Sequence, residues 1–295
     1  MKLKLLQFFV LLVIILNFEI IAKSQIKDDA RPVVEDKRVK QSKPINPKLP
    51  TLYIVGDSTL NSNPPMRGWG QDLGDFFNQN RINVVNRAIG GRSSRTFQYE
   101  GRWDKVLLEL KKGDFVIIQF GHNDVGKYND PQAKDRPTLH SEGNETAEVT
   151  RLDGNQETVR SFGWYMRKYG NDVKAKGATA IFCSMVPHKD WVNGKIIRKE
   201  SETFVKWTGN AAKESGAYYI NLNEMIAIEF EKLGQEKVEE FFADKRTHST
   251  PAGSMFNAQI VISGLRSLKK LNFDKFLSDK GKAIKKNPLF VINIK

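Results

Sequence analysis

Cysteine is all but absent from this chain. Cys183 is the sole example in 295 residues, so no disulfide can form within the chain and stability must come from a packed core. Cys183 stands in the apolar run Ala180-Ile181-Phe182-Cys183-Ser184-Met185-Val186, the setting of an inert buried thiol. Histidine is scarce too. The four present include no Asp-x-His or His-x-His pair, a poor supply for the bimetal site of a metal-dependent phosphoesterase. Beyond the N-terminus no apolar run approaches the roughly 20 residues that span a bilayer, and no internal repeat is visible.

What is present suits one large or two small globular domains: 40% of the residues are hydrophobic and 10% aromatic. Lys2 and Lys4 precede an apolar run over residues 5–18, and Ala22-Lys23-Ser24 then offers small residues two apart. That order of charge, apolar stretch and small residues is expected of a signal peptide over residues 1–24, with export to the periplasm or the medium. Glu19 interrupts the run, which makes it short for the alternative of an uncleaved anchor. Residues 25–50 are rich in Lys, Asp, Pro and Arg and poor in large apolar groups, so they read as a flexible linker. The formal net charge is +13, but the basic residues are scattered and accompanied by no nucleic-acid motif. A polyanionic substrate such as a uronic-acid polysaccharide fits that charge as well as nucleic acid does, and a solvated basic surface is the plain alternative.

From residue 51 the pattern changes. Leu52-Tyr53-Ile54-Val55 is a short apolar run ending at Gly56, as expected of a strand buried on both faces. Further strands are expected at 83–86, 114–120, 178–186 and 217–221, separated by helices at 69–77, 103–110, 159–176 and 200–215, with a closing helix at 252–269. The alternation implies an α/β protein, a three-layer α/β/α sandwich around a parallel five-stranded sheet over residues 51–271. A lysine-rich tail at 272–295 follows, in which Leu289-Phe290-Val291-Ile292 either adds a last strand or docks.

Three of the expected strands run into glycine-bearing segments with polar side chains: Gly56-Asp57-Ser58-Thr59, Gly90-Gly91-Arg92-Ser93 and Gly121-His122-Asn123-Asp124. Open parallel sheets place ligands at the carboxyl ends of their strands, so these loops are expected to converge. Acyl transfer by serine needs a nucleophile, a base in hydrogen-bond reach and donors aimed at the developing oxyanion. Ser58 is the candidate nucleophile, presented at the end of a strand. His248, in a loop just before the last helix, is the candidate base. The amides of Ser58 and Gly91 and the side-chain amide of Asn123 are candidate oxyanion donors. Asp57 and Asp124 are expected to hold their own turns, and His140 and His188 to be loop residues.

These blocks resemble the SGNH, or GDSL-type, hydrolases, whose namesake residues Ser, Gly, Asn and His are matched in order by Ser58, Gly91, Asn123 and His248. Within that superfamily the rhamnogalacturonan acetylesterases are the nearer likeness. The shared segments are Gly-Asp-Ser-Thr, Gly91-Arg92-Ser93-Ser94-Arg95, Gly-His-Asn-Asp, and Thr247-His248 followed by Pro251-Ala252-Gly253. The resemblance spans residues 52–268 and implies a flavodoxin-like fold and a secreted serine carbohydrate esterase that needs no cofactor or metal. It implies removal of acetyl groups from an acidic pectic polysaccharide or oligosaccharide by a monomer that binds neither nucleic acid nor, once its signal is removed, membrane. Other acyl substrates on the same scaffold, such as xylan, peptidoglycan, a lipid or a thioester, stay open, as does a catalytically inactive carbohydrate-binding protein.

One departure bears on the triad. The family's acidic member stands three residues before the histidine, and here that position is Lys245. Asp244 is the nearest carboxylate and the candidate third member. Glu239, Glu240 or a backbone carbonyl are the alternatives for orienting His248. Arg92 and Arg95 are candidates for binding a uronate carboxylate or for packing their loop, and His122 for lining the pocket or orienting its own.

Overall fold

The apolar run after residue 51 becomes β1 (Thr51–Gly56), every residue of which is buried in the computed structural model. The structure describes residues 44–293; the expected signal segment and most of the expected linker lie outside them. β1 pairs in parallel with β2 (Asn83–Asn86) on one side and with β3 (Phe115–Gln119) on the other. An antiparallel hairpin of β4 (Thr146–Thr150) and β5 (Gln156–Arg160) follows, then β6 (Thr179–Cys183). A two-residue hairpin of β7 (Trp191–Val192) and β8 (Lys195–Ile196) precedes β9 (Tyr218–Ile220), and β10 (Val291–Ile292) comes last.

The central sheet has the order β10-β9-β6-β3-β1-β2. It therefore contains six strands, not the five expected. The additional one, β10, runs antiparallel to β9, which needs no crossover helix: the chain folds back and Phe290 accepts a 2.8 Å bond from the Asn221 amide. The other five are parallel neighbours, with the chain winding from β1 to β2 on one side and through β3, β6 and β9 on the other. The crevice at the carboxyl ends of β1 and β3 is the switch point where such sheets take ligands.

Alternate residues of β1 serve opposite cores, as the two-residue period of a strand requires. Leu52 and Ile54 join Trp69, Leu73 and Phe76 and two helices, α5 (Leu222–Leu233) and α7 (Pro251–Ser267), on one face. Tyr53 and Val55 pack on the other against α1 (Ser94–Tyr99), α2 (Arg102–Glu109), α3 (Phe162–Ala175) and α4 (Phe204–Ser215). The three-layer sandwich is as expected.

Several elements differ from expectation. Residues 69–77 form two 3-10 turns, Trp69–Gln71 and Leu73–Phe76, in place of one helix. Gly70 and Gly74 each cost about 1 kcal/mol in a helix interior, and Asp72 between them is drawn to Arg67 and Ser254. The helix expected at 159–176 begins only at Phe162, where Ser161 caps it by accepting from the Trp164 amide at 3.0 Å. The β-branched Thr158 and Val159 go into β5 instead. Helix α5 and the short α6 (Gln235–Glu239) stand where no element is expected. After residue 271, Phe273, Phe276 and Leu277 are buried in the same core as Trp69, so the lysine-rich segment is anchored to the domain.

Candidate active site

Gly56 ends β1 where the chain must turn against β3. A Cβ there would lie 2.4 Å from the Gln119 carbonyl oxygen, so only glycine lets the strand end so close to its neighbour. Asp57 follows, fully buried, and its Oδ1 accepts from the Thr59 amide at 2.9 Å and the Thr59 hydroxyl at 2.7 Å. Gln119 continues the chain of bonds by donating to the Thr59 hydroxyl at 2.7 Å while accepting from the Trp69 indole at 3.2 Å. Burial pushes the Asp57 carboxyl up to about 6, against the opposing pull of the Thr59 donors and of His248. The network fixes the turn beneath Ser58 and leaves the Ser58 hydroxyl at the surface of the cleft.

His248 reaches that hydroxyl from the other end of the sequence. Its Nε2 lies 2.9 Å from Ser58 Oγ, and its Nδ1 lies 2.5 Å from Asp244 Oδ2. Asp244 is held in turn by its own loop, for its other oxygen accepts from the amides of Arg246, Thr247 and His248 at 2.9, 2.7 and 3.1 Å. Partial burial works against the charge of Asp244, but those amides and the imidazole outweigh it and hold the carboxyl well below the usual range. The loop is closed at its base, where Ala243 donates to the His248 carbonyl at 2.8 Å and Phe242 pairs with Ser249. Glu239 and Glu240, the alternative carboxylates, are engaged by Lys189 and Lys237.

Ser58, Gly91, Asn123 and His248 line one cleft of about 330 Å³. The amides of Ser58 and Gly91 donate to no other group among the described residues, so both remain free for an anion. Gly91 has φ +78°, a left-handed conformation that costs a side-chain-bearing residue about 1–2 kcal/mol. Asn123 Nδ2 gives one hydrogen to the Arg92 carbonyl at 3.1 Å and keeps the second. Asp124 ties these two loops together: its carboxylate accepts from the Ser94 hydroxyl at 2.5 Å, the Ser94 amide at 3.1 Å and the Gly121 amide at 3.1 Å. Burial pushes this carboxyl up to about 7, with the Ser94 donors pulling the other way.

A hydroxyl, an imidazole and a carboxylate in one chain of bonds, beside unengaged amides, is the equipment of a serine acyl hydrolase. Residues 54–255 match the GDSL-like lipase/acylhydrolase family. The chain belongs to that family. It is an ester hydrolase. A rhamnogalacturonan acetylesterase from Emericella nidulans is 35% identical over 221 residues, 73% of this chain and 86% of that one. A probable rhamnogalacturonan acetylesterase, YesY of Bacillus subtilis, is 29% identical over 225 residues, 74% of this chain and 93% of that one. Among solved structures, the protein YxiM of Bacillus subtilis superposes with a TM-score of 0.60 at 25% identity, covering 77% of this chain. This chain spans 58% of YxiM, less than two thirds of that larger protein.

In this GDSL-like esterase none of the three side chains considered for substrate binding lines the cleft, and Arg92 and Arg95 take the packing alternative. Arg95 is fully buried and unable to touch a ligand: it forms a two-bond pair with Glu157 at 2.8 and 3.1 Å and donates to the carbonyls of Tyr128 and Pro137. Arg92 pairs at 3.0 Å with Glu100, which Arg102 also engages, and donates to the Gly90 carbonyl, so it ties its loop to the end of the following helix. His122 does not line the cleft; its ring packs edge-on against His188 at 4.9 Å. The ring nitrogens of His122 are shielded and lack a bond of good geometry, although the Val186 backbone is near enough to favour the proton slightly. Burial, reinforced by His248 and Arg246, brings His122 down to about 3, and burial with His122 and Arg246 does the same for His188.

Residues that the sequence reading passes over also shape the site. Asn61 donates to the Ala88 carbonyl at 2.7 Å, and Ser62 to the Ser58 carbonyl at 2.7 Å. Arg136 lines the cleft beside Asn123. Among the described residues no group of three or more His, Cys, Asp or Glu side chains is arranged to hold a metal ion.

Proposed function

We propose that this esterase removes acetyl groups from an acetylated acidic polysaccharide, with Ser58 as nucleophile, His248 as base and Asp244 as the carboxylate that orients it. The observation that carries the reading is the 2.9 Å approach of His248 Nε2 to Ser58 Oγ within the bonded series Ser58–His248–Asp244. His248 takes the hydroxyl proton as Oγ attacks the ester carbonyl. The oxyanion of the tetrahedral intermediate is met by the amides of Ser58 and Gly91 and by the free hydrogen of Asn123 Nδ2. His248 returns its proton to the departing sugar oxygen, and a water activated by the same imidazole then releases acetate and restores Ser58. Asp244 keeps the tautomer that leaves Nε2 free to accept, and stabilises the imidazolium.

The acyl acceptor is argued from two observations: the relatives from Emericella nidulans and Bacillus subtilis named for rhamnogalacturonan, and a chain carrying a formal net charge of +13. A single chain supplies every group named, which supports action as a monomer. The charged, apolar and small-residue order of residues 1–24 supports export from the cytoplasm. Acetate release from acetylated rhamnogalacturonan, acetylated xylan and p-nitrophenyl acetate, each with wild type and Ser58→Ala, tests the proposal. The expected result is highest kcat/KM on rhamnogalacturonan and loss of all activities in the variant. Turnover of the aryl ester and of xylan with none of rhamnogalacturonan overturns the substrate.

A further inference from the structure

Arginines elsewhere among the described residues mostly pair with acids. Arg67 pairs with Asp72, Arg92 with Glu100, Arg95 with Glu157 and Arg151 with Asp153. Arg136 is different. Its Nη1 donates to Asn123 Oδ1 at 3.2 Å and its Nε to the Ala133 carbonyl at 3.1 Å; no carboxylate lies within ion-pair distance among the described residues, and Nη2 donates to no protein group. Of the residues that line the cleft with Ser58 and His248, Arg136 alone carries a fixed charge, and no acid lines it.

The loop that presents it is built for placement. Lys134 and Asp135 both adopt left-handed conformations, at φ 56° and 55°, and turn the chain so that Arg136 faces the cleft. Buried Arg95 clamps the loop from beneath through the carbonyls of Tyr128 and Pro137, on either side of that turn. Asp124, which ties the Ser94 and Gly121 loops, also gives its carbonyl to the Thr138 amide at 3.2 Å. A cation so held, with Nη2 unengaged and Nη1 on the proposed oxyanion donor, can offer charge-assisted bonds from Nη2 to an anion arriving with the substrate.

We propose that Arg136 is the specificity-determining residue of the site: it binds the carboxylate of a uronate in the substrate and, through Asn123 Oδ1, sets that recognition beside the reacting ester. Arg95 and Glu157 are positioning residues for the same loop. The inference rests on the proposed polysaccharide substrate, and its test is chosen to fail separately. Inhibition of p-nitrophenyl acetate hydrolysis is measured with a deacetylated rhamnose–galacturonate oligosaccharide and with the same oligosaccharide after its carboxyls are reduced to alcohols. Wild type is expected to bind the charged form roughly 10- to 100-fold more tightly, the worth of a charge-assisted bond. Arg136→Gln is expected to abolish that ratio and Arg136→Lys to keep part of it. Because the ratio is taken within each variant, any displacement of Asn123 cancels. Equal inhibition by the two forms in wild type, or an unchanged ratio in Arg136→Gln, overturns the proposal. Failure to release acetate from acetylated rhamnogalacturonan with this ratio intact sinks only the substrate reading.

Discussion

Asp244 stands four residues before His248, yet its Oδ2 lies 2.5 Å from the imidazole Nδ1. The longer loop is taken up by a tight turn in which Asp244 Oδ1 collects three successive amides, while the pairing of Phe242 with Ser249 fixes both ends. The carboxylate therefore builds the loop that delivers it. Asp244→Asn is expected to lower kcat about 10,000-fold with little change in KM, because an amide no longer selects the productive tautomer. Lys245→Ala, three residues before the histidine, should stay within about 2-fold of wild type, as an exposed change removed from the chemistry. Steady-state kinetics on an aryl acetate separates the two; a greater loss from the lysine variant contradicts the assignment.

Removal of a single oxyanion donor costs roughly 100- to 1,000-fold in kcat. Asn123→Ala is expected to lose that much while its circular dichroism spectrum and denaturation midpoint stay near those of wild type. A variant that keeps full turnover removes Asn123 from the oxyanion site.

Glu157 shields the buried charge of Arg95. Glu157→Ala strands that guanidinium, with Arg151 close by as a second cation, and should lower stability by about 3–5 kcal/mol in urea unfolding. A loss below about 1 kcal/mol would mean that the pair is not desolvated as the structure has it.

Asp124 and Asp57 are raised to about 7 and about 6 from an ordinary 3.8. Between about pH 4 and 7 these two carboxyls hold protons in the folded chain that they have lost in the unfolded one, so their own contribution to stability falls as pH rises and levels above about 7; His122 and His188, lowered to about 3, contribute with the opposite sign and offset them over much of that window. Asp244, held low, likewise opposes the two carboxyls, and only below its ordinary range. The midpoint of thermal unfolding of Asp124→Asn, taken relative to that of wild type, is therefore expected to rise between about pH 5 and about pH 8, because the variant lacks a carboxyl whose stabilising contribution is present only on the acid side. A difference between the two midpoints that is the same at both pH values, or that falls, contradicts the burial argument.

Much of this site was legible because its parts are local. Glycine-bearing ends on apolar strands mark Ser58, Gly91 and Asn123 without any knowledge of distance, and His248 precedes a proline-started helix, Pro251–Ser267, whose boundary is visible in the residues themselves. The arginines were not legible. Whether Arg95 meets solvent depends on Glu157, 62 residues away in a hairpin whose alternating polar residues give little apolar signal. Arg136 is one basic residue among many in a loop, and its distinction is the absence of an acid opposite, which only the assembled cleft displays. The sixth strand stayed one of two alternatives for residues 289–292, since two residues pairing on an edge carry almost no periodicity.

The proposed reaction requires that Ser58 become acylated. Mass spectrometry of protein quenched in acid during turnover of p-nitrophenyl acetate measures this directly. The expected spectrum shows the mass of one acetyl group added to the peptide containing Ser58, absent from Ser58→Ala, whose kcat falls by about a million-fold. An acetyl group on another residue, or a Ser58→Ala enzyme that turns over at the wild-type rate, contradicts it.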